Sequence, residues 1–213
     1  EIITRELTGK ESPVPALEEK VIPYYGVKEA AFPFNMFPEV DPLLGPEMRS
    51  TGEVLGLSES YGEAFYKAQE AVQSKLPLSG TVLISVNRKD KAEVVEVAKL
   101  FHENNFRIIA TEGTCQLINE AGIPAEKVKK LCEGRPNVLD EITNGKVDII
   151  VNSPVGKDSV YDDSYLRKAA IKGRIPYCTT MAAAMAAATG IHAVNNLDGG
   201  KIASLQEMHG RIK

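Results

Sequence analysis

Residues 81–111 read TVLISVNRKDKAEVVEVAKLFHENNFRIIAT, and this stretch decides the fold. Thr81 to Val86 is a continuous apolar run. A strand covered on both faces reads that way, whereas a half-exposed strand alternates apolar and polar residues. Lys91 to Asn104 then repeats apolar residues at helical spacing, with Asp90 placed to cap it. Arg107 to Thr111 is a second short apolar run. Strand, helix and strand in this order form the unit of a parallel sheet, because parallel strands need a crossover to join them.

The alternation continues downstream. The turn Thr111-Glu112-Gly113-Thr114 leads into a short helix, Cys115 to Glu120. Lys127 to Cys132 is a weaker third strand, and Val138 to Asn144 is helical. Val147 to Asn152 is a clear fourth strand, Tyr161 to Lys172 a helix, and Ile175 to Thr180 a fifth strand. Met181 to Thr189 is an alanine-rich helix, suited to close packing. The order predicts an α/β fold: a five-stranded, mainly parallel sheet with helices on both faces.

Upstream the texture changes. Prolines cluster before residue 78 and break the chain into short extended pieces, with strands expected at Val27 to Phe34 and Met48 to Leu55. Residues 59–75 read as one helix with Ala64, Phe65, Ala68 and Val72 as its apolar stripe. The predicted division is a small, incomplete α+β lobe over 1–72 and the sheet domain over 73–213. The abrupt opening at Glu1-Ile2-Ile3, without a starting Met, predicts a segment of a longer polypeptide.

Composition narrows the function. The net charge of −4 argues against a nucleic-acid surface, and no apolar run approaches a membrane span of about 20 residues. Three widely spaced cysteines give neither a zinc pattern nor a disulfide framework, and point to a reducing cytoplasm. His102, His192 (expected in a loop) and His209 pair with no metal-ligand spacing.

Ligands of open α/β sheets bind beyond the carboxyl ends of the strands. That rule selects Ser85, Thr111, Thr114, Asn152, Thr179 and Thr180, which are hydroxyls and an amide rather than acid–base pairs. Thr114 stands near a helix start, where unpaired N–H groups attract anions. Lys91 follows strand one, and Lys130 is expected in strand three. Hydroxyls, two lysines and a helix amino terminus on one edge suit a phosphate. Taken one by one, each threonine is more often a cap and each lysine more often a solvated surface charge; it is their convergence that favours binding. Glu133-Gly134-Arg135-Pro136 reads as a structural turn.

Several motifs now carry a resemblance. GPEMRSTGEVLG at 45–56, preceded by FPFNMFPEVDP at 32–42, resembles the end of the second ATP-grasp unit of carbamoyl-phosphate synthase large chains. EGRPNVLDEI at 133–142 and the closing QEMHGRIK at 206–213 resemble the end of the same chains. Thr81 to Lys213 resembles their methylglyoxal-synthase-like domain. The resemblance implies a nucleotide-sensing segment with no complete active site. UMP, IMP or phosphoribosyl diphosphate would be its effector, held by Ser85, Lys91, Thr111, Thr114, Lys130 and Asn152. It also implies an ornithine site at Glu29, Tyr177 and Thr179, and a glutaminase small subunit and further large chains as partners. ATP, Mg and K would serve the intact enzyme. The chain departs from the enterobacterial pattern at three places. Ser153-Pro154 replaces two threonines, Glu112 replaces a histidine, and Cys178 replaces an aspartate.

Two rival readings differ in class. A methylglyoxal-synthase-like lyase needs a carboxylate base, but Arg135 stands where those enzymes carry Asp. A plain assembly module would bind no nucleotide at all.

Overall fold

The decisive run forms β3 (Gly80–Ser85) at the centre of a five-stranded sheet. In the computed structural model, residues 2–11, 20–37, 44–153, 160–196 and 202–212 are described. The other strands are β4 (Phe106–Thr111), β5 (Ala125–Val128), β6 (Ile149–Asn152) and β7 (Tyr177–Cys178). Their spatial order is β5-β4-β3-β6-β7, and every neighbouring pair is parallel. Val82, Ile84, Ile149 and Ile150 are fully buried. Each such side chain contributes roughly 1.5–3 kcal/mol when removed from water.

Helices cover both faces, as the continuous apolar runs require. On one side lie α3 (Val94–Glu103), α4 (Glu112–Glu120) and α7 (Met181–Asn196), packed on Val82, Ile84, Ile108 and Val151. On the other lie α5 (Val138–Thr143) and α6 (Val160–Gly173), packed on Leu83, Ile109 and Ile150.

Several boundaries move. Asp90 does not cap the long helix. It opens a 3₁₀ turn, Asp90–Ala92, and the Asn87 side chain accepts the N–H groups of Lys89 at 2.7 Å and Asp90 at 3.2 Å. The helix proper begins at Val94, where the apolar stripe begins. Helix α4 starts at Glu112 rather than Cys115, with Thr111 as its N-cap residue. The third strand ends at Val128, so Lys130 lies outside it. Leu131–Glu133 instead forms a 3₁₀ turn, in which the Glu133 carboxylate accepts the Lys130 N–H at 2.9 Å. Helix α7 runs on to Asn196 because Ile191 and Val194 continue its packing on the core. His192 is therefore helical, not in a loop.

The chain falls into two compact units. The smaller comprises Glu1–Pro23 and Lys201–Lys213 and contains α1 (Ile2–Leu7) and α8 (Leu205–His209). Ser204 and Glu207 cap α8 reciprocally. The larger, Tyr24–Gly200, includes the sheet and also residues the sequence had assigned to a separate lobe ending at 72. There, β1 (Tyr25–Ala31) pairs antiparallel with β2 (Gly52–Ser58), and α2 (Tyr61–Ala71) covers the pair. Ser60 caps α2 by accepting the Glu63 N–H. The opposite side of the ribbon leaves Leu55 more than half exposed, while Tyr25, on the covered side, meets the ring of Tyr61 edge-on at 6.3 Å between centroids.

Helix α2 attaches to the sheet domain through α7. At Gly62 an added Cβ would lie 2.8 Å from the Thr189 carbonyl oxygen and 3.0 Å from the Ala193 Cβ. Only the missing side chain allows that approach. Gly62→Ala is expected to lower stability by about 1–3 kcal/mol. Gly52→Ala, whose Cβ would meet open space, should stay within about 1 kcal/mol of the parent or exceed it. Urea unfolding of the two variants checks the contrast.

Candidate nucleotide-binding edge

The register builds the site. Residues aligned across parallel strands share a face. Ser85 aligns with Asn152, Ile84 with Ala110, Thr111 with Val128, and Val151 with Cys178. One row at the carboxyl edge therefore contains Thr111, Ser85 and Asn152, and Thr179 follows β7 at the corresponding step. All but Thr179 are buried or partly buried.

The hydroxyls are linked. Thr111 Oγ1 donates to Ser85 Oγ at 3.4 Å, and Thr114 Oγ1 accepts the Val86 N–H at 3.5 Å. Lys91 reaches in from its 3₁₀ turn. Its Nζ lies 3.1 Å from the place a Cβ on Gly113 would occupy, so the ammonium sits against the first turn of α4. That turn carries unpaired N–H groups and the positive end of the helix dipole. A cation beside it is a receptive position for an anion. Lys130 is exposed just beyond β5, at the neighbouring end of the same edge.

Glu112, which the sequence places as a negative charge at this edge, forms an ion pair with Lys127. The Lys127 ammonium holds its carboxyl below the ordinary range. The pair is exposed and offsets the charge locally. Pro154, the other departure, lies outside the described residues.

Asn152 is 4% exposed. Its amide Nδ2 donates to Asp163 Oδ1 at 2.9 Å and to Tyr177 Oη at 2.6 Å. Tyr177 thus meets a predicted effector residue. Burial, outweighing the Asn152 hydrogen bond, pushes its hydroxyl up to about 12. Glu29 lies on β1, where Gln69 of α2 donates to its carboxylate at 3.0 Å. Burial raises its carboxyl above the ordinary range against the Ala30 N–H and Gln69. The structure brings Ser85, Lys91, Thr111, Thr114 and Asn152 to one edge. No described hydrogen bond joins Glu29 to Tyr177 or Thr179. Burial pushes the Cys178 thiol up to about 12, so it stays neutral and does not replace a carboxylate.

Sequence reasoning missed Asn87, Ser153 and Asp163. Ser153 Oγ accepts from the Asn87 N–H at 3.0 Å and from the Asn87 amide at 3.2 Å, tying the loop after β3 to the end of β6. Asn87 was legible as a turn-forming residue directly after a strand. Asp163 gave no signal, since it lies within a polar helix. The Arg135 guanidinium binds the Asp140 carboxylate, whose partner Asn137 caps α5. Among the described residues, no helix is long and apolar enough to cross a membrane.

The class defined here is a parallel α/β domain whose carboxyl edge gathers hydroxyls, a buried amide and a lysine. A family model for the MGS-like domain matches residues 93–179. The carbamoyl phosphate synthase large chain of Gemmatimonas aurantiaca is 48% identical over 192 residues, covering 90% of this chain and 18% of its own. That of Archaeoglobus fulgidus is 45% identical over 210 residues, covering 98% and 19%. The separate C-terminal section of the large chain in Aquifex aeolicus is 44% identical over 189 residues, covering 87% and 35%. A methylglyoxal synthase from Elizabethkingia anophelis superposes with a TM-score of 0.42 at 18% identity, over 52% of this chain and 76% of its own. The chain belongs to the carbamoyl phosphate synthase large-chain family and corresponds to its carboxy-terminal part. It spans about a fifth of the length of the full-length relatives named above.

The tyrosine gives a testable sign. Its ordinary value is about 10, and the folded value is higher, so the folded state holds the proton more tightly. The associated stability is complete below pH of about 10 and is lost as pH rises toward about 12. Tyr177→Phe should flatten the fall of unfolding free energy across that window, measured by denaturant titration at each pH.

Proposed function

We propose that this chain is the regulatory carboxy-terminal segment of a glutamine-dependent carbamoyl-phosphate synthase. The segment binds a nucleotide effector at the carboxyl edge of the sheet and biases synthesis of carbamoyl phosphate for pyrimidine and arginine biosynthesis. The observation that carries the reading is the Lys91 ammonium resting on the first turn of α4, beside Thr111, Thr114 and Ser85. A phosphate there meets a cation, hydroxyls and helix N–H groups together. UMP, IMP and phosphoribosyl diphosphate share that anionic end. The intact cytoplasmic enzyme would combine this segment with the glutaminase subunit and further large chains. It would use ATP with Mg and K at sites outside this sequence. Allosteric coupling of this kind is typically about 1–3 kcal/mol.

Lys91→Ala should weaken UMP binding about tenfold at low salt, with a smaller loss at high salt because the lost contact is electrostatic. Calorimetry at two ionic strengths measures both. Failure of UMP, IMP and phosphoribosyl diphosphate to bind the unmutated chain rejects the sensing role and favours an assembly module.

Ornithine carries two ammonium groups, which need carboxylates when taken out of water. Glu29 supplies one, Thr179 is neutral, and Cys178 stays a thiol. Calorimetry should therefore detect weak or no ornithine binding to this chain and clear binding to the intact enzyme. Tight binding to the chain alone would show that no further carboxylate is needed.

A further inference from the structure

Asn152 is the one amide in the row of hydroxyls, and its orientation is not ambiguous. A carboxylate offers only acceptors, so the group facing Asp163 Oδ1 at 2.9 Å must be Nδ2. The second N–H of the same nitrogen goes to Tyr177 Oη at 2.6 Å. An amide nitrogen has two donors, and both are used. What Asn152 can still offer a ligand is its carbonyl oxygen, a pure acceptor.

We propose that Asp163 is a positioning residue of the nucleotide-binding edge. It fixes the Asn152 amide so that Asn152 Oδ1 accepts a hydrogen bond from a hydroxyl or N–H of the effector's nucleoside part, and never donates to its phosphate. This rests on the reading that the edge takes nucleotides, and it adds a polarity to that site. The phosphate end belongs beside Lys91 and α4, where the charge is positive. The donor-bearing end belongs at Asn152, which has the Asp163 carboxylate behind it. Asp163 is 6% exposed and so does not meet the ligand itself; it acts through Asn152.

Reversing the polarity of the pair tests this. Asp163→Asn supplies a donor as well as an acceptor, so the Asn152 amide is free to turn over. UMP affinity should then fall about tenfold, the value of roughly one hydrogen bond with a donor left facing a donor. Binding of inorganic phosphate, which needs only the Lys91 end, should stay within about twofold. The Asn152→Asp/Asp163→Asn double variant again has an acceptor facing the ligand and a donor behind it. It should recover most of the lost UMP affinity, which a merely structural role would not produce. Calorimetry of UMP and NMR titration of inorganic phosphate on the 213-residue chain give the readouts. The side-chain NH₂ signals of Asn152 report the turned amide directly. Equal weakening of UMP and phosphate by Asp163→Asn overturns the proposal, as does a double variant no better than the single one. If neither ligand binds the unmutated chain, the nucleotide-binding reading falls and takes this inference with it.

Discussion

The contact of α2 with α7 at Gly62 is the constraint on which the larger unit turns. An added Cβ at Gly62 would stand 2.8 Å from a backbone carbonyl, and backbone cannot be moved aside as a side chain can. At the facing position, a Cβ on Gly190 would lie 3.2 Å from the Gly62 carbonyl oxygen. The alanine-rich face of α7 extends the same logic: Ala184, Ala187 and Ala188 are almost wholly buried. Small residues let two helices approach until their backbones touch, and dispersion then acts over the whole length. Through this contact the β1–β2 ribbon and α2 are held to the sheet.

That attachment matters for the site because of where α7 begins. Its first residue, Met181, lies just after Tyr177, Cys178 and Thr179. Thr180 Oγ1 accepts the Ala183 N–H at 3.1 Å and so caps the helix start. Gln69, on the helix that grips α7, holds Glu29. A chain of packed elements thus runs from Glu29 through α2 and α7 to Tyr177, and from Tyr177 Oη to Asn152. Glu29 and Tyr177, from one of the two residue sets, are thereby connected to Asn152 of the other.

Much of this was legible in the sequence because the governing signals are local. Continuous apolar runs mark strands covered on both faces, and the rule about carboxyl ends then selects Ser85, Thr111 and Asn152 without further information. The failures are equally physical. Capping by Asn87 rather than Asp90 depends on which side chain folds back over its own turn, and both residue types do so. Lys130 was assigned to a strand that stops two residues earlier, because Glu133 draws its N–H into a 3₁₀ turn. The lobe boundary near residue 72 followed a change in proline content, which reports local stiffness and not packing. Asp163 was invisible, since its role depends on the distance from α6 to β6, and no periodicity encodes that.

Under the proposed nucleotide-binding role, the buried amide would let the edge discriminate between parts of one ligand. Phosphate binding by a lysine and helix N–H groups is strong but undiscriminating, because any anion of suitable size gains the same attraction. Selectivity has to come from a group whose donor or acceptor character is fixed. An exposed asparagine does not provide it, since the amide turns over at little cost. Asn152 is held from two directions, by a carboxylate and by a tyrosine hydroxyl that burial keeps protonated. Turning it would put its carbonyl oxygen against the Asp163 carboxylate and leave a buried pair of acceptors facing each other. The cost of that arrangement, about 1–3 kcal/mol for an unmade buried hydrogen bond, is what would give the proposed site a direction.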